Sequence, residues 1–305
     1  MRGVLSSLLF VCCFLFASAQ NLPKLSSGSI DRFENFHSRF VDARTVDVWL
    51  PHDYSSSRKY DVVYMHDGQM LFDNTHSWNK QEWQVDETFS SLFEAKRIKQ
   101  CIVVAIWNIP EKRFADYFPQ KIIDSIREPY KTQILSMQLK GKPSSDNYLR
   151  FIVEELKPFI DEKYSTNKDP KSTFMIGSSM GGLISVYALC EYPDVFGGAA
   201  CLSIHSPIIM YELINESTDV EVASKFRQYL NRSLPKRNTR KIYFDYGNLT
   251  GDAFYKPYQD KIDDIMRYNG YDGDHWQTRY FEGESHSESS WAKRLEIPLL
   301  FLLSR

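Results

Sequence analysis

The chain has 305 residues, 43% of them hydrophobic and 25% charged, with a formal net charge of −2. That is ordinary globular composition, with enough apolar material for one large α/β domain. The charge balance excludes the basic footprint of a nucleic-acid binder and a solvated single-sign tail.

Residues 1–19 read as a signal peptide. Arg2 gives a short basic start, Val4 to Phe16 are apolar, and Ala17-Ser18-Ala19 is a small-residue cleavage site. An uncleaved anchor is the alternative, but the apolar stretch is short for a span. The expectation is a secreted or periplasmic protein starting at Gln20, with no stable membrane insertion after cleavage. Export permits disulfides. The remaining cysteines, Cys101, Cys190 and Cys201, each sit in an apolar run and read as buried thiols. No Cys/His spacing points to zinc, and neither metal nor cofactor is expected.

Residues 45–50 and 61–66 read as strands, and 83–96 as a helix. A buried strand follows at 101–108. Residues 148–164 form an amphipathic helix with Pro158 as a possible kink. Then come a strand at 172–177, a helix at 181–191, and strands at 197–204 and 241–247. A helix at 253–269, a last strand at 276–283 and a last helix at 289–303 close the chain. Strands separated by helices imply a mostly parallel sheet covered on both faces, and the near-continuous apolar runs fit burial on both sides. No repeat or linker divides residues 20–305, which read as one domain. Residues 268–275 (YNGYDGDH) resemble part of a calcium loop but lack its terminal Glu and read as a turn.

Residues 109–147 fit this alternation poorly. The segment is long and mixed, as a lid or binding loop would be, and it carries Arg113, Phe114, Tyr117, Phe118 and Tyr130. Arg113, Phe114, Tyr117 and Phe118 are candidate substrate contacts; surface packing with a few structural aromatics is the alternative.

Gly177-Ser178-Ser179-Met180-Gly181 has the G-x-S-x-G pattern of a nucleophile elbow, in which a Ser is held on a strained strand-to-helix turn. A plain small-residue turn would look similar, so its partners must decide. Only His205, His275 and His286 follow Ser179. His275 precedes the last strand, at the wrong end of the sheet. His205 has no carboxylate between it and Ser179 in a strand-end loop. His286 follows the last strand in a Gly/Ser-rich loop, at the correct end, and is the expected base. Asp252, in the loop after strand 241–247, is the expected acid, although Asp also caps helices; Asp245, inside the strand, is the runner-up. The oxyanion donors would be the N–H of Met180 and that of Gln69, in the turn His66-Asp67-Gly68-Gln69.

The stretches HDGQMLFD, GSSMGG, YFDYGNLTGD and GESHSESSW, in this order, resemble an esterase family whose relatives include enterochelin esterases, S-formylglutathione hydrolases, feruloyl and acetyl-xylan esterases, and mycolyltransferases. The resemblance spans nearly the whole mature chain. It implies an α/β-hydrolase fold and metal-free serine ester chemistry, with nucleophile Ser179, acid Asp252, base His286, and oxyanion donors Met180 and Gln69. The acid is the loosest match, because its spacing from Gly247 varies among relatives.

The function expected is an exported serine carboxylic-ester hydrolase acting on a small-molecule or glycan ester, with acyl, feruloyl or acetyl esters of carbohydrate favoured. Alternatives are a siderophore esterase, an acyltransferase using an alcohol in place of water, and a non-catalytic binding protein on a hydrolase scaffold.

Overall fold

In the computed structural model, which describes residues 22–75, 77–237 and 239–304, the apolar runs assemble into one eight-stranded sheet. The expected signal peptide lies outside the described residues. The strands are β1 (Ser29–Phe36), β2 (Arg44–Leu50), β3 (Asp61–His66), β4 (Cys101–Ile106), β5 (Thr173–Ser178), β6 (Gly198–Leu202), β7 (Lys241–Tyr246) and β8 (Trp276–Tyr280). Their order is β1-β2-β4-β3-β5-β6-β7-β8. From β4 to β8 every pairing is parallel, while β1–β2 and β2–β4 are antiparallel.

The side-chain alternation of the strands explains the two hydrophobic layers. Val62, Tyr64, Ile102 and Val104 face one layer, with Tyr148, Leu183 and Tyr187. Val63, Met65, Val103 and Ala105 face the other, with Phe89, Trp291 and Leu299. Each buried Val, Leu, Ile, Met or Phe side chain among them contributes roughly 1.5–3 kcal/mol on burial. Cys101, Cys190 and Cys201 are buried free thiols.

The helices that bear on the site are α1 (Val85–Glu94), α2 (Arg113–Tyr117), α3 (Ser145–Arg150), α4 (Lys157–Lys163), α5 (Met180–Glu191), α6 (Ser224–Ser233), α7 (Lys256–Tyr268), α8 (Glu288–Ala292) and α9 (Glu296–Leu303). Helix α5 is apolar all round and buried from Met180 to Cys190, as a central helix must be. Among the described residues no helix is long and apolar enough to cross a membrane.

Three departures from the sequence reading have local causes. The 148–164 helix begins earlier, at Ser145, and is π-wound over Phe151–Leu156 before continuing as α4. The wider winding precedes Pro158, whose missing N–H and ring would oppose an unbroken α-ladder. The last helix is broken between Ala292 and Glu296, which puts Pro298 in the first turn of α9, where no N–H is needed. Strand β1 escaped notice because its register slips between Phe33 and Phe36, with Asn35 at a φ of 53°, which destroys the period-two pattern.

The irregular loop expected at 109–147 is largely helical. It contains α2, a 3-10 segment Gln120–Ser125, and short helical pieces Tyr130–Gln133 and Ile134–Gln138. Tyr117, Phe118, Ile122, Ile123, Ile126, Ile134 and Leu139 are buried in the main hydrophobic layer. The segment is thus built into the core.

Candidate active site

Parallel strands β3 and β5 lie side by side, but the chain leaves β3 towards β4 and returns on the other side to make β5. Loops leaving the carboxyl ends of β3 and β5 therefore diverge, and a crevice opens between them. The turn Asp67–Gln69 follows β3, and Ser179 follows β5.

Ser179 has φ 56° and ψ −122°, a conformation that non-glycine residues avoid, at the N-terminus of α5. The surrounding backbone imposes it. Ser179 N–H donates to the carbonyl of Leu202 at 3.0 Å, and its carbonyl accepts from Leu183 at 3.1 Å and His205 at 3.2 Å. A Cβ on Gly177 would lie 2.5 Å from the carbonyl carbon and oxygen of Gly181, so the turn closes only around glycine. Met180 is the first helical residue, and its N–H is one of the first-turn donors without an intrahelical partner.

The β3 loop is held from three sides. Asp67 adopts a left-handed conformation with φ 56° and starts a 3-10 turn over Gly68–Met70. Its carboxylate accepts from Asn108 Nδ2 at 2.6 Å and from Arg113 Nε and a terminal nitrogen at 2.8 and 2.7 Å. Burial opposes this charge, but the Arg113 guanidinium and the Asn108 amide outweigh it and hold Asp67 below its ordinary pKa. Gln69 Oε1 accepts from the N–H of Asn108 at 3.2 Å. Gly68 lies so close to β4 that a Cβ would meet Ala105 and Trp107 at 2.8 Å.

On the other side, His286 Nδ1 lies 2.7 Å from Asp252 Oδ1. An ionised carboxylate only accepts, so Nδ1 carries the proton and Nε2 is left as a base. The second Asp252 oxygen accepts from Ser203 Oγ and from Gly247 N–H, each at 2.6 Å. Burial works against the charge here too; the hydrogen bonds from His286, Ser203 and Gly247 overcome it and lower the Asp252 pKa. The runner-up, Asp245, accepts from Arg294 at 3.0 Å and from Ser203 N–H at 3.0 Å, and does not face His286 through any of these bonds. Its role is to anchor the floor on which Ser203 and Asp252 sit.

Around His286 stand aromatic rings: Trp291 at 5.1 Å, Tyr255 at 5.6 Å and Tyr211 at 6.3 Å, all edge-to-face. Tyr211 and Tyr255 share a hydroxyl–hydroxyl bond, and Tyr255 also bonds His205 Nδ1 at 3.0 Å. Trp291 closes the GESHSESSW stretch, but Tyr211, Tyr255 and His205 belong to no recognisable motif, which is why the sequence did not reveal them as partners.

The four candidate substrate contacts separate. Phe114 is exposed at 41%, whereas Tyr117 and Phe118 are fully buried core residues and present no surface to a ligand. Arg113 is spent on Asp67, with its guanidinium over the Tyr117 ring at 5.2 Å. Arg113 and Tyr117 thus support the β3 loop from behind. Among the described residues no group of three His, Cys, Asp or Glu side chains could hold a metal.

Residues 38–296 match the family model described as "Putative esterase". A curated relative, "Uncharacterized protein YbbA" of Bacillus subtilis (strain 168), is 31% identical over 177 residues, which is 58% of this chain and 60% of that one. A ferulic acid esterase from Anaeromyces mucronatus, solved in complex with ferulic acid, superposes with a TM-score of 0.62 at 16% identity, covering 92% of both chains. The enterobactin esterase of Shigella flexneri, solved in the presence of 2,3-di-hydroxy-N-benzoyl-glycine, gives a TM-score of 0.62 at 15% identity, over 92% of this chain and 60% of that chain. The fold is that of the α/β-hydrolases.

Proposed function

Because the chain belongs to the family described as "Putative esterase", we propose that it is an exported serine carboxylic-ester hydrolase working through Ser179, His286 and Asp252. The observation that carries this reading is the Asp252–His286 hydrogen bond of 2.7 Å in the loops beside a Ser held at φ 56°. Ser179 Oγ attacks the ester carbonyl while His286 Nε2 takes its proton. Asp252 keeps the ring in the required tautomer and stabilises the imidazolium. The N–H groups of Met180 and Gln69 bond the oxyanion. His286 then protonates the leaving alcohol, and water repeats the cycle on the acyl-enzyme.

The substrate favoured is an acyl ester of carbohydrate, with an aromatic acyl group such as feruloyl. Leu249 and Phe254, in the loop that bears Asp252, are exposed at 47% and 46%, and Phe254 stands 5.9 Å from the Tyr211 ring. These apolar surfaces suit a phenolic acyl group. A siderophore ester with a dihydroxybenzoyl group is the second reading, supported by the likeness to the Shigella flexneri enzyme. The test is fluorophosphonate labelling of the purified protein followed by turnover of acetyl, feruloyl and dihydroxybenzoyl esters. Labelling at Ser179 with a preference for feruloyl esters is expected. An unlabelled, inactive protein would overturn the enzymatic reading.

A further inference from the structure

The loop after β6 carries a chain of hydrogen bonds whose direction can be worked out. His205 is buried, with Nε2 3.0 Å from the carbonyl of Ile209 and Nδ1 3.0 Å from the Tyr255 hydroxyl. A carbonyl only accepts, so Nε2 carries the ring proton. Burial pushes the His205 pKa down to about 3, so the ring stays neutral and Nδ1 is an acceptor. Tyr255 must therefore donate its hydrogen to His205. Its bond to Tyr211 then requires Tyr211 to donate to Tyr255. The Tyr211 hydrogen is thereby used, and only its oxygen lone pairs remain. Burial pushes the Tyr211 phenol up to about 12, so the hydroxyl stays intact.

The backbone that carries this loop is strained. Ile208, a β-branched residue, has a φ of 63° one residue before the carbonyl that fixes His205. The chain also ends at the reacting centre. Tyr211 Oη is 2.6 Å from where a Cβ on Gly251 would lie, and His286 Cγ is 3.3 Å from the same point. The His205 N–H bonds the Ser179 carbonyl at 3.2 Å. The Ser179 side chain is also a hydrogen-bond partner of the Tyr211 and Tyr255 hydroxyls, so Tyr211 stands between the nucleophile and His286.

Resting on the esterase reading, we propose that Tyr211 is a specificity residue that selects substrates whose alcohol half carries a hydroxyl beside the ester oxygen, as a polyol or sugar ester does. When Ser179 attacks and its proton passes to His286, the Tyr211 oxygen loses the Ser179 O–H as donor, and a substrate O–H donates to it instead. A methylene in its place leaves that oxygen unpaired, and an acceptor group meets only lone pairs. One such hydrogen bond corresponds to about tenfold in rate.

The test compares kcat/KM for 2-hydroxyethyl acetate with that for propyl acetate, which replaces the hydroxyl by a methyl group. The unaltered protein should favour the hydroxy ester by about tenfold, and Tyr211→Phe should bring the ratio close to one. Tyr255→Phe frees the Tyr211 hydrogen, so it should raise turnover of acetonyl acetate, whose carbonyl accepts, relative to propyl acetate. A ratio near one in the unaltered protein, or a ratio preserved in Tyr211→Phe, would overturn the proposal while leaving the esterase reading intact. Failure of the unaltered protein to hydrolyse either ester or to label with a fluorophosphonate would overturn both.

Discussion

Asp252 holds His286 by one oxygen, at 2.7 Å, and is itself held by the other, through Ser203 and Gly247 at 2.6 Å. Both carboxylate oxygens are committed, so the imidazole has one orientation and one tautomer. Ser179→Ala or His286→Ala should each lower ester hydrolysis by about 10⁴-fold or more, and Asp252→Asn by a comparable amount through loss of the tautomer. Because the groups act as a unit, the Ser179→Ala/Asp252→Asn double variant should be scarcely worse than Ser179→Ala. Initial-rate kinetics that gave multiplicative losses would break the unit apart.

Arg113 bonds Asp67 through two nitrogens, at 2.7 and 2.8 Å. Arg113→Ala leaves a buried carboxylate without its cation, at a cost of about 3 kcal/mol. Its effect on catalysis should run through the Gln69 turn and lower kcat/KM alike for acetyl and feruloyl esters. A loss confined to the larger ester would restore Arg113 to direct substrate contact.

His66 and His205 are buried, and burial lowers the pKa of each from 6.5 to about 3. Below pH 6.5 the unfolded chain takes up protons that the folded chain does not bind until near pH 3. The unfolded state thus binds more protons across that interval, and stability falls as the pH drops through it. Each histidine gives a slope of about 1.4 kcal/mol per pH unit. Burial raises the Asp86 carboxyl to about 7, so the folded chain holds a proton there that the unfolded chain lacks, which offsets about one histidine. Urea unfolding between pH 6.5 and 5 should keep a net positive slope near that of one histidine, and His205→Gln should lower it by about 1.4 kcal/mol per pH unit. A flat profile would count against the histidine burials.

Gly177→Ala puts a methyl group 2.5 Å from the Gly181 carbonyl, whereas a Cβ on Gly273 meets nothing within 4 Å. The first substitution should cost about 3 kcal/mol, and the second less than about 0.5 kcal/mol. Thermal unfolding of the two variants measures the difference, and equal midpoints would show that the elbow relaxes freely.

Much of the sheet, and the edge from which the candidate loops leave it, could be read from residue patterns, because buried parallel strands leave continuous apolar runs. Strand 61–66 has the expected bounds, and the loops bearing Ser179, Asp252 and His286 all leave the carboxyl edge. What stayed hidden depended on contacts between distant residues. Phe118 looks like a surface aromatic until Ile122 and Leu139 are seen packed in the same layer. Arg113 looks like a ligand hook until Asp67, 46 residues away, is found to claim it. His205 lacks any motif, and its meaning rests on the Ile209 carbonyl and on Tyr255, 50 residues further on.

The grip on Asp67 has a consequence for how the protein opens. It links the turn after β3 to Asn108 and to helix α2 of the 109–147 segment. Neither stretch can loosen without stripping partners from a buried charge, so they should breathe together as one cooperative unit. Amide hydrogen exchange at Gln69 and Met70 should therefore keep pace with exchange in 113–118 as denaturant is added. A local opening there would dismantle the turn that bears the proposed oxyanion donor Gln69 while β5 and Ser179 stayed in place, and on the esterase reading this gives a transiently inactive form that needs no global unfolding.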